Sequence, residues 1–182
     1  IFHRSGSGRS NQWAMAFWAG DQFVNFGEND GLPSAIAGIL SAGMSGITLN
    51  HSDVGGYTAI KNGPVRHLRK RPVLKRWIEM NAFTPIFRTH EGLRPGDMVQ
   101  VYSDDDIAGF FSRFSALHDS LRPLFIRLNE EAATHGWPVV RHPYLHFPDD
   151  PHVVSIRHQF MLGDSIWVAP ALEGSIIRWR DK

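Results

Sequence analysis

The first fifty residues alternate between an apolar strand-like run, a small-residue helix and a second strand-like run, and this order limits the fold more than any other feature. Gln12 to Trp18 is apolar and aromatic and reads as a buried strand, closed by Ala19-Gly20-Asp21. Asp30-Gly31-Leu32-Pro33 then reads as a helix start, with Asp30 as the cap and Pro33 in the first turn, where its missing N–H costs nothing. That helix is expected to run to about Ser41, to be ended by Gly43 and Gly46, and to feed a strand at Ile47-Thr48-Leu49-Asn50. Strand, helix and strand in that order form a βαβ unit. The class is therefore α/β, with a parallel sheet or barrel.

Each apolar run stops at a Gly-containing turn that carries a polar group. Asp21 follows Gly20, and Asp53 lies in His51-Ser52-Asp53-Val54-Gly55-Gly56-Tyr57, where the paired glycines let the backbone approach a ligand closely. A basic, aromatic segment ends in Arg88-Thr89-His90. Two acids, an arginine, a histidine and Trp18 gathered at the mouths of strands would make a pocket for a sugar. Taken singly, Asp21 is equally well a turn or capping residue, and a turn aspartate is the commoner reading of Asp53.

Further along, Lys61 to Arg76 is basic, and Trp77 to Phe83 has helical spacing. Ile107, Phe110, Phe111, Phe114, Leu117, Leu121, Leu124, Phe125 and Leu128 recur at three- and four-residue intervals, as one helix face requires. Asp104, Asp105 and Asp106 sit at the N-terminus of this helix, Pro123 kinks or divides it, and Gly136 ends it. Pro138-Val139-Val140-Arg141 reads as a short strand. Phe160-Met161-Leu162-Gly163 and Ile166-Trp167-Val168-Ala169-Pro170 follow as β segments with no helix between them. This change of texture places a domain boundary near Pro151, giving parts 1–150 and 151–182.

With 182 residues, 42% of them hydrophobic, the chain can build a real core. A net charge of +1 gives no overall field for nucleic acid or a membrane surface, and no run approaches the roughly 20 apolar residues of a bilayer span. Arg66-His67-Leu68-Arg69-Lys70-Arg71 is similar to a nucleic-acid patch, but its shortness and lack of interleaved aromatics favour a solvated face. Thiolate chemistry is excluded because there is no cysteine. His142 and His146 are four apart, but Pro143 between them removes a common helix face, so no metal site is expected. His51 and His90 are the better candidates for hydrogen bonding to a ligand. Both ends read as cut, the second within the apolar segment 174–180. The compartment is unfixed, with a cytoplasmic setting favoured, and self-association into a homo-oligomer stays open.

The ordered set of Arg4-Ser5-Gly6, Phe17-Trp18-Ala19-Gly20-Asp21-Gln22, Asp30-Gly31-Leu32-Pro33-Ser34, His51 to Tyr57, Arg76-Trp77, Ala82-Phe83-Thr84-Pro85 and Arg88-Thr89-His90-Glu91-Gly92 resembles glycoside hydrolase family 31. These are retaining α-glucosidases and α-xylosidases. The resemblance continues through Pro138-Val139-Val140-Arg141 to Val168-Ala169-Pro170, and its central motifs look most like the sulfoquinovosidase branch. It implies the C-terminal half of a (β/α)8 TIM barrel running into the start of a β-sandwich domain.

The resemblance also implies roles. Asp21 would be the catalytic general acid/base, Arg4, Asp53 and His90 would bind sugar hydroxyls, Trp18 would wall the subsite, and Tyr57 would help hold a sulfonate through water. The substrate implied is an α-glycoside, sulfoquinovosyl glycerol in the narrow form. The reaction would be a double displacement, with two carboxyl groups about 5–5.5 Å apart, and needs no cofactor or metal. The nucleophilic aspartate would lie upstream of Ile1, so the isolated chain is expected to be inactive. An ordinary α-glucosidase and a non-catalytic sugar-binding homologue are the competing readings.

Overall fold

The computed structural model describes residues 2–6 and 9–172, so the apolar closing segment 174–180 lies outside the described residues. Strands β1 (Phe2–His3), β2 (Ala16–Trp18) and β3 (Asn50–His51) form one parallel sheet in that order. Phe2 stands opposite Ala16, and Trp18 opposite His51. Parallel pairing continues past the strands through the bridges Phe23–Thr58 and Val54–Thr89. The second of these brings the Arg88–His90 segment alongside the extension of β3.

Strand β2 is shorter than the apolar run suggested, because Ser10–Gln12 forms a 3-10 turn and Trp13 and Met15 face outward. Helix α1 (Leu32–Met44) returns the chain from β2 to β3. Its cap is Gly31 and not Asp30: Asp30 contributes its backbone carbonyl to Phe23 N, while Gly31 N and Leu32 N donate to Gly27 O and Asn25 O. The helix also runs past Ser41. Gly43 sits inside it, because an added Cβ would lie 3.1 Å from Pro138 Cβ, and Gly46 with φ +85 follows the Ser45 cap.

The basic stretch holds an antiparallel hairpin, β4 (Ile60–Asn62) and β5 (Val65–His67), which the sequence pattern did not reveal. Helix α2 (Arg71–Asn81) follows. Its Val73, Leu74, Trp77 and Ile78 pack with Leu32, Ile36 and Ile39 of α1 in the main core. The long apolar periodicity resolves into α3 (Asp105–Ser120) and α4 (Arg122–His135), divided at Leu121 with Pro123 in the first turn of α4. Asp104 caps α3 by accepting from Ile107 N, and Gly136 at φ +77 closes α4.

Strands β6 (Val140–Arg141), β7 (Phe160–Leu162) and β8 (Ile166–Val168) make an antiparallel sheet. Phe125 and Leu128 of α4 pack on Val139 and Leu162 of this sheet. Residue 69, expected on a solvated face, is buried at 2% exposure.

Helix α2 is also the anchor for the end of β3. Trp77 is fully buried and its Nε1 donates to Ser52 Oγ at 3.0 Å, while Asn81 Nδ2 donates to Ser52 O at 2.8 Å. Trp77→Ala should lower the unfolding free energy by about 4 kcal/mol, the usual range for a buried aromatic. Trp77→Phe, which keeps most of the ring but removes the donor to Ser52 Oγ while leaving that hydroxyl its bond to Asn81 Oδ1, should cost about 1 kcal/mol. Urea midpoints at constant m-value measure both, and no loss in Trp77→Phe would show that the hydrogen bond adds nothing.

Candidate active site

The candidate site forms where the parallel strands end. Ala19 N donates to His51 O at 2.8 Å, so β2 keeps its register with β3 up to the turn. Gly20 then takes φ +96, and a Cβ there would stand 3.1 Å from Arg4 Nε, so glycine serves both the turn and the close approach. The turn delivers Asp21 to Arg4, which follows β1: Arg4 Nη1 donates to Asp21 Oδ2 at 3.1 Å. The same guanidinium lies over the Trp18 ring, 5.4 Å from its centroid. This pair is largely solvated, so it orients the carboxylate more than it stabilises the fold. Asp30 stands near it. Burial, and then the charge of Asp21, raise the Asp30 carboxyl above the usual range, against Arg4.

Asp53 is fully buried at the end of β3. Its partner is Arg88, whose Nη2 donates to Asp53 Oδ1 in a close ion pair. The backbone places that pair, because Val54 N donates to Arg88 O at 3.0 Å. The Arg88 guanidinium also lies 5.8 Å from the Trp18 centroid and 5.7 Å from that of Phe2. Burial acts most strongly on Asp53 and raises its carboxyl, while Arg88, His90 and Trp18 favour the charged form. Asp53 Oδ2, Trp18 Nε1 and Arg88 Nε are buried with no hydrogen-bond partner among the described residues. Trp18 nevertheless lies close enough to Asp53 to favour its charged form, so the three atoms form one connected polar group.

Tyr57 and His90 form the far side, their rings edge to face at 4.8 Å. Gly92 N donates to His90 Nδ1 at 3.0 Å, so a neutral His90 ring carries its proton on Nε2 and can donate it. Tyr57 N donates to Gln22 O, and Tyr57 O accepts from Leu93 N. The six residues expected from sequence thus belong to one connected set. It runs from Asp21 through Arg4 to Trp18, then through Arg88 to Asp53, His90 and Tyr57.

Arg88 is the residue sequence reasoning left without a task. A buried carboxylate needs a cation, but which arginine supplies it depends on strand pairing. His51 is 1% exposed with its ring edge-on to Phe2 and both ring nitrogens buried without a hydrogen-bond partner among the described residues, and burial followed by Arg88 lowers it to about 4, so it is neutral at neutral pH. His142 and His146 are spent on backbone carbonyls, those of Ile156 and Gly163. Among the described residues no three His, Asp or Glu side chains cluster as a metal site would require.

Comparison with known proteins agrees with this arrangement. Residues 1–127 match the glycosyl hydrolases family 31 TIM-barrel domain, and residues 136–179 match the family 31 C-terminal domain. The sulfoquinovosidase of Escherichia coli (strain K12) is 39% identical over 98% of this chain and 26% of its own length. That of Agrobacterium fabrum is 38% identical over 93% of this chain and 25% of its own. The mouse neutral alpha-glucosidase AB is 33% identical over 85% of this chain and 15% of its own. A crystallised family 31 sulfoquinovosidase from E. rectale, in complex with an aza-sugar inhibitor, superposes with a TM-score of 0.90 at 37% identity. It aligns over 98% of this chain and 26% of that one. The chain belongs to glycoside hydrolase family 31, and its fold is an α/β segment of the family's TIM barrel leading into the C-terminal domain. It spans about a quarter of the length of the sulfoquinovosidases it matches.

Removing the Arg88 cation leaves the Asp53 carboxylate buried without its partner. The Asp53 carboxyl, already raised by burial, then rises further, so its charged form is lost at higher pH. If activity needs that charge, Arg88→Met should move the acid limb of the kcat/KM–pH profile upward and cost about 3 kcal/mol of stability. An acid limb that stays in place would show that Asp53 does not control it.

Proposed function

We propose that this chain is the acid/base-bearing part of a retaining α-glycosidase whose substrate is a sulfoquinovoside. The observation that carries the reading is the connected set from Asp21 to Tyr57 at the carboxyl ends of parallel strands, the position of active sites in (β/α)8 barrels. The sulfonated substrate is supported by the identity to sulfoquinovosidases, higher than that to the α-glucosidase. In this reading residues 1–150 belong to the catalytic barrel and 151–182 begin the sandwich, with β6 reaching across the junction to pair with β7.

Asp21, held by Arg4 and half exposed, protonates the departing glycosidic oxygen and then activates water. The nucleophilic carboxylate comes from a part of the barrel outside this chain. Asp53 accepts from a sugar hydroxyl through Oδ2, the oxygen that Arg88 leaves free. His90 donates to a hydroxyl through Nε2, Trp18 walls the bound ring, and Tyr57 faces the sulfonate.

The test is kcat/KM of the full-length enzyme that carries this chain, on 4-nitrophenyl α-sulfoquinovoside and on 4-nitrophenyl α-glucoside. Strong preference for the first is expected. Preference for the second would leave an ordinary α-glucosidase, and turnover of neither would favour a sugar-binding protein. Asp21→Asn should lower kcat/KM about 10²–10⁴-fold on an alkyl glycoside, whose leaving group needs a proton, and far less at the glycosylation step of an activated aryl glycoside. Equal small losses on both would remove Asp21 from the acid role.

A further inference from the structure

We infer that Arg69 is a positioning residue for the site, setting the backbone from which Tyr57 and His90 reach the substrate and so the enzyme's discrimination at the substituted end of the sugar. The inference rests on the glycosidase reading for its consequence, though not for its geometry. Arg69 lies just before α2 and is almost wholly buried. Its Nη1 donates to Gly56 O at 3.2 Å, the carbonyl immediately before Tyr57, and to His90 O at 3.0 Å. Its Nη2 donates to Glu91 O at 3.4 Å and closely to Gln100 Oε1, and its Nε donates to Val99 O at 2.8 Å. One planar cation therefore ties together the Gly55–Tyr57 turn, the His90–Glu91 segment and the 99–100 segment.

Two further features make this a support for the loops and not a generic buried pair. None of these acceptors is a carboxylate, so the burial of the charge is offset by carbonyls that belong mostly to the site loops. Gly55 is also fitted to it, since a Cβ there, at φ +90, would stand 2.6 Å from Arg69 Cδ; the neighbouring Gly92, at φ +83, is fitted to Met98 and to Tyr57 O. Gln100 reinforces the arrangement from behind by donating to Glu91 O and Pro95 O. A lysine could bring the charge but not a rigid fork of donors, so it would satisfy only part of this set.

The experiment compares Arg69→Lys, Arg69→Met and the milder Gln100→Leu in the full-length enzyme, by amide hydrogen exchange and by kcat/KM on the same two aryl glycosides. The expected result is exchange about 10-fold faster or more at Gly56, Tyr57, Gly92 and Leu93, with the α1 amides unchanged. The sulfoquinovoside-to-glucoside ratio of kcat/KM should fall about 10-fold in Arg69→Met and less in Arg69→Lys and Gln100→Leu, as expected for small misplacements of binding groups. Loop amides that do not respond, or acceleration spread evenly through α1 and α2, would overturn the inference. So would equal losses on both substrates. If the wild-type enzyme hydrolyses neither glycoside while the loop amides still respond, the glycosidase reading falls and the hold of Arg69 on the loops stands.

Discussion

Parallel register is the constraint on which the rest of this structure depends. Phe17 opposite Asn50 and Trp18 opposite His51 align the ends of β2 and β3, and the Val54–Thr89 bridge extends the alignment to a third segment. Parallel strands share a direction, so their last residues emerge on one side. Asp21, Asp53 and Arg88 come together because each lies just beyond such an end. A slip of one residue would turn Trp18 to the other face of the sheet and break the link between Arg4 and Arg88.

Two opposing influences then shape the chemistry. Burial acts on Asp53 to discourage charge, and Arg88 opposes it at close range. The result is a carboxylate with one oxygen committed and the other unspent. Asp21 is arranged differently, half-buried on its turn beside a more solvated guanidinium. Two aspartates at neighbouring strand ends thus have unlike surroundings, a common way for one site to divide binding from proton transfer. The buried Trp77–Ser52–Asn81 set holds the end of β3, and the turn after β2 is held by Thr58 Oγ1 donating to Asp21 O and Gln22 Nε2 donating to Ala19 O.

Local signals made much of this legible in the sequence. The βαβ order, the division near Pro123, the acidic run that opens α3, the Gly136 stop and the β texture after residue 160 all rest on periodicity or on residues with strong local preferences. The motif order named the family and pointed to six residues that the fold joins in one connected set. What stayed hidden depended on distant partners. Arg69 sits in a run of positive charge that looks solvated, and only the folded chain shows carbonyls of residues 56, 90, 91 and 99 converging on it. Arg88 reads as one member of a motif until strand pairing sets it beside Asp53. The β4–β5 hairpin was masked because its strands are short, charged and exposed, without the alternation that marks a half-buried strand. Gly43 read as a helix stop because its true use, contact with Pro138, is long-range.

That contact reaches beyond the helix in which it occurs. Where Gly43 meets Pro138, Val139 N also donates to Thr48 O and Val139 O accepts from Gly163 N, so the barrel segment and the antiparallel sheet share one seam of backbone. The segments 1–127 and 136–179 that match the two family models are therefore poor modules for recombination. A chimera that joined the barrel of one relative to the C-terminal domain of another would have to import both sides of the seam together. A crossover between them would set residue 43 of one parent against residue 138 of the other, where a Cβ would stand only 3.1 Å away.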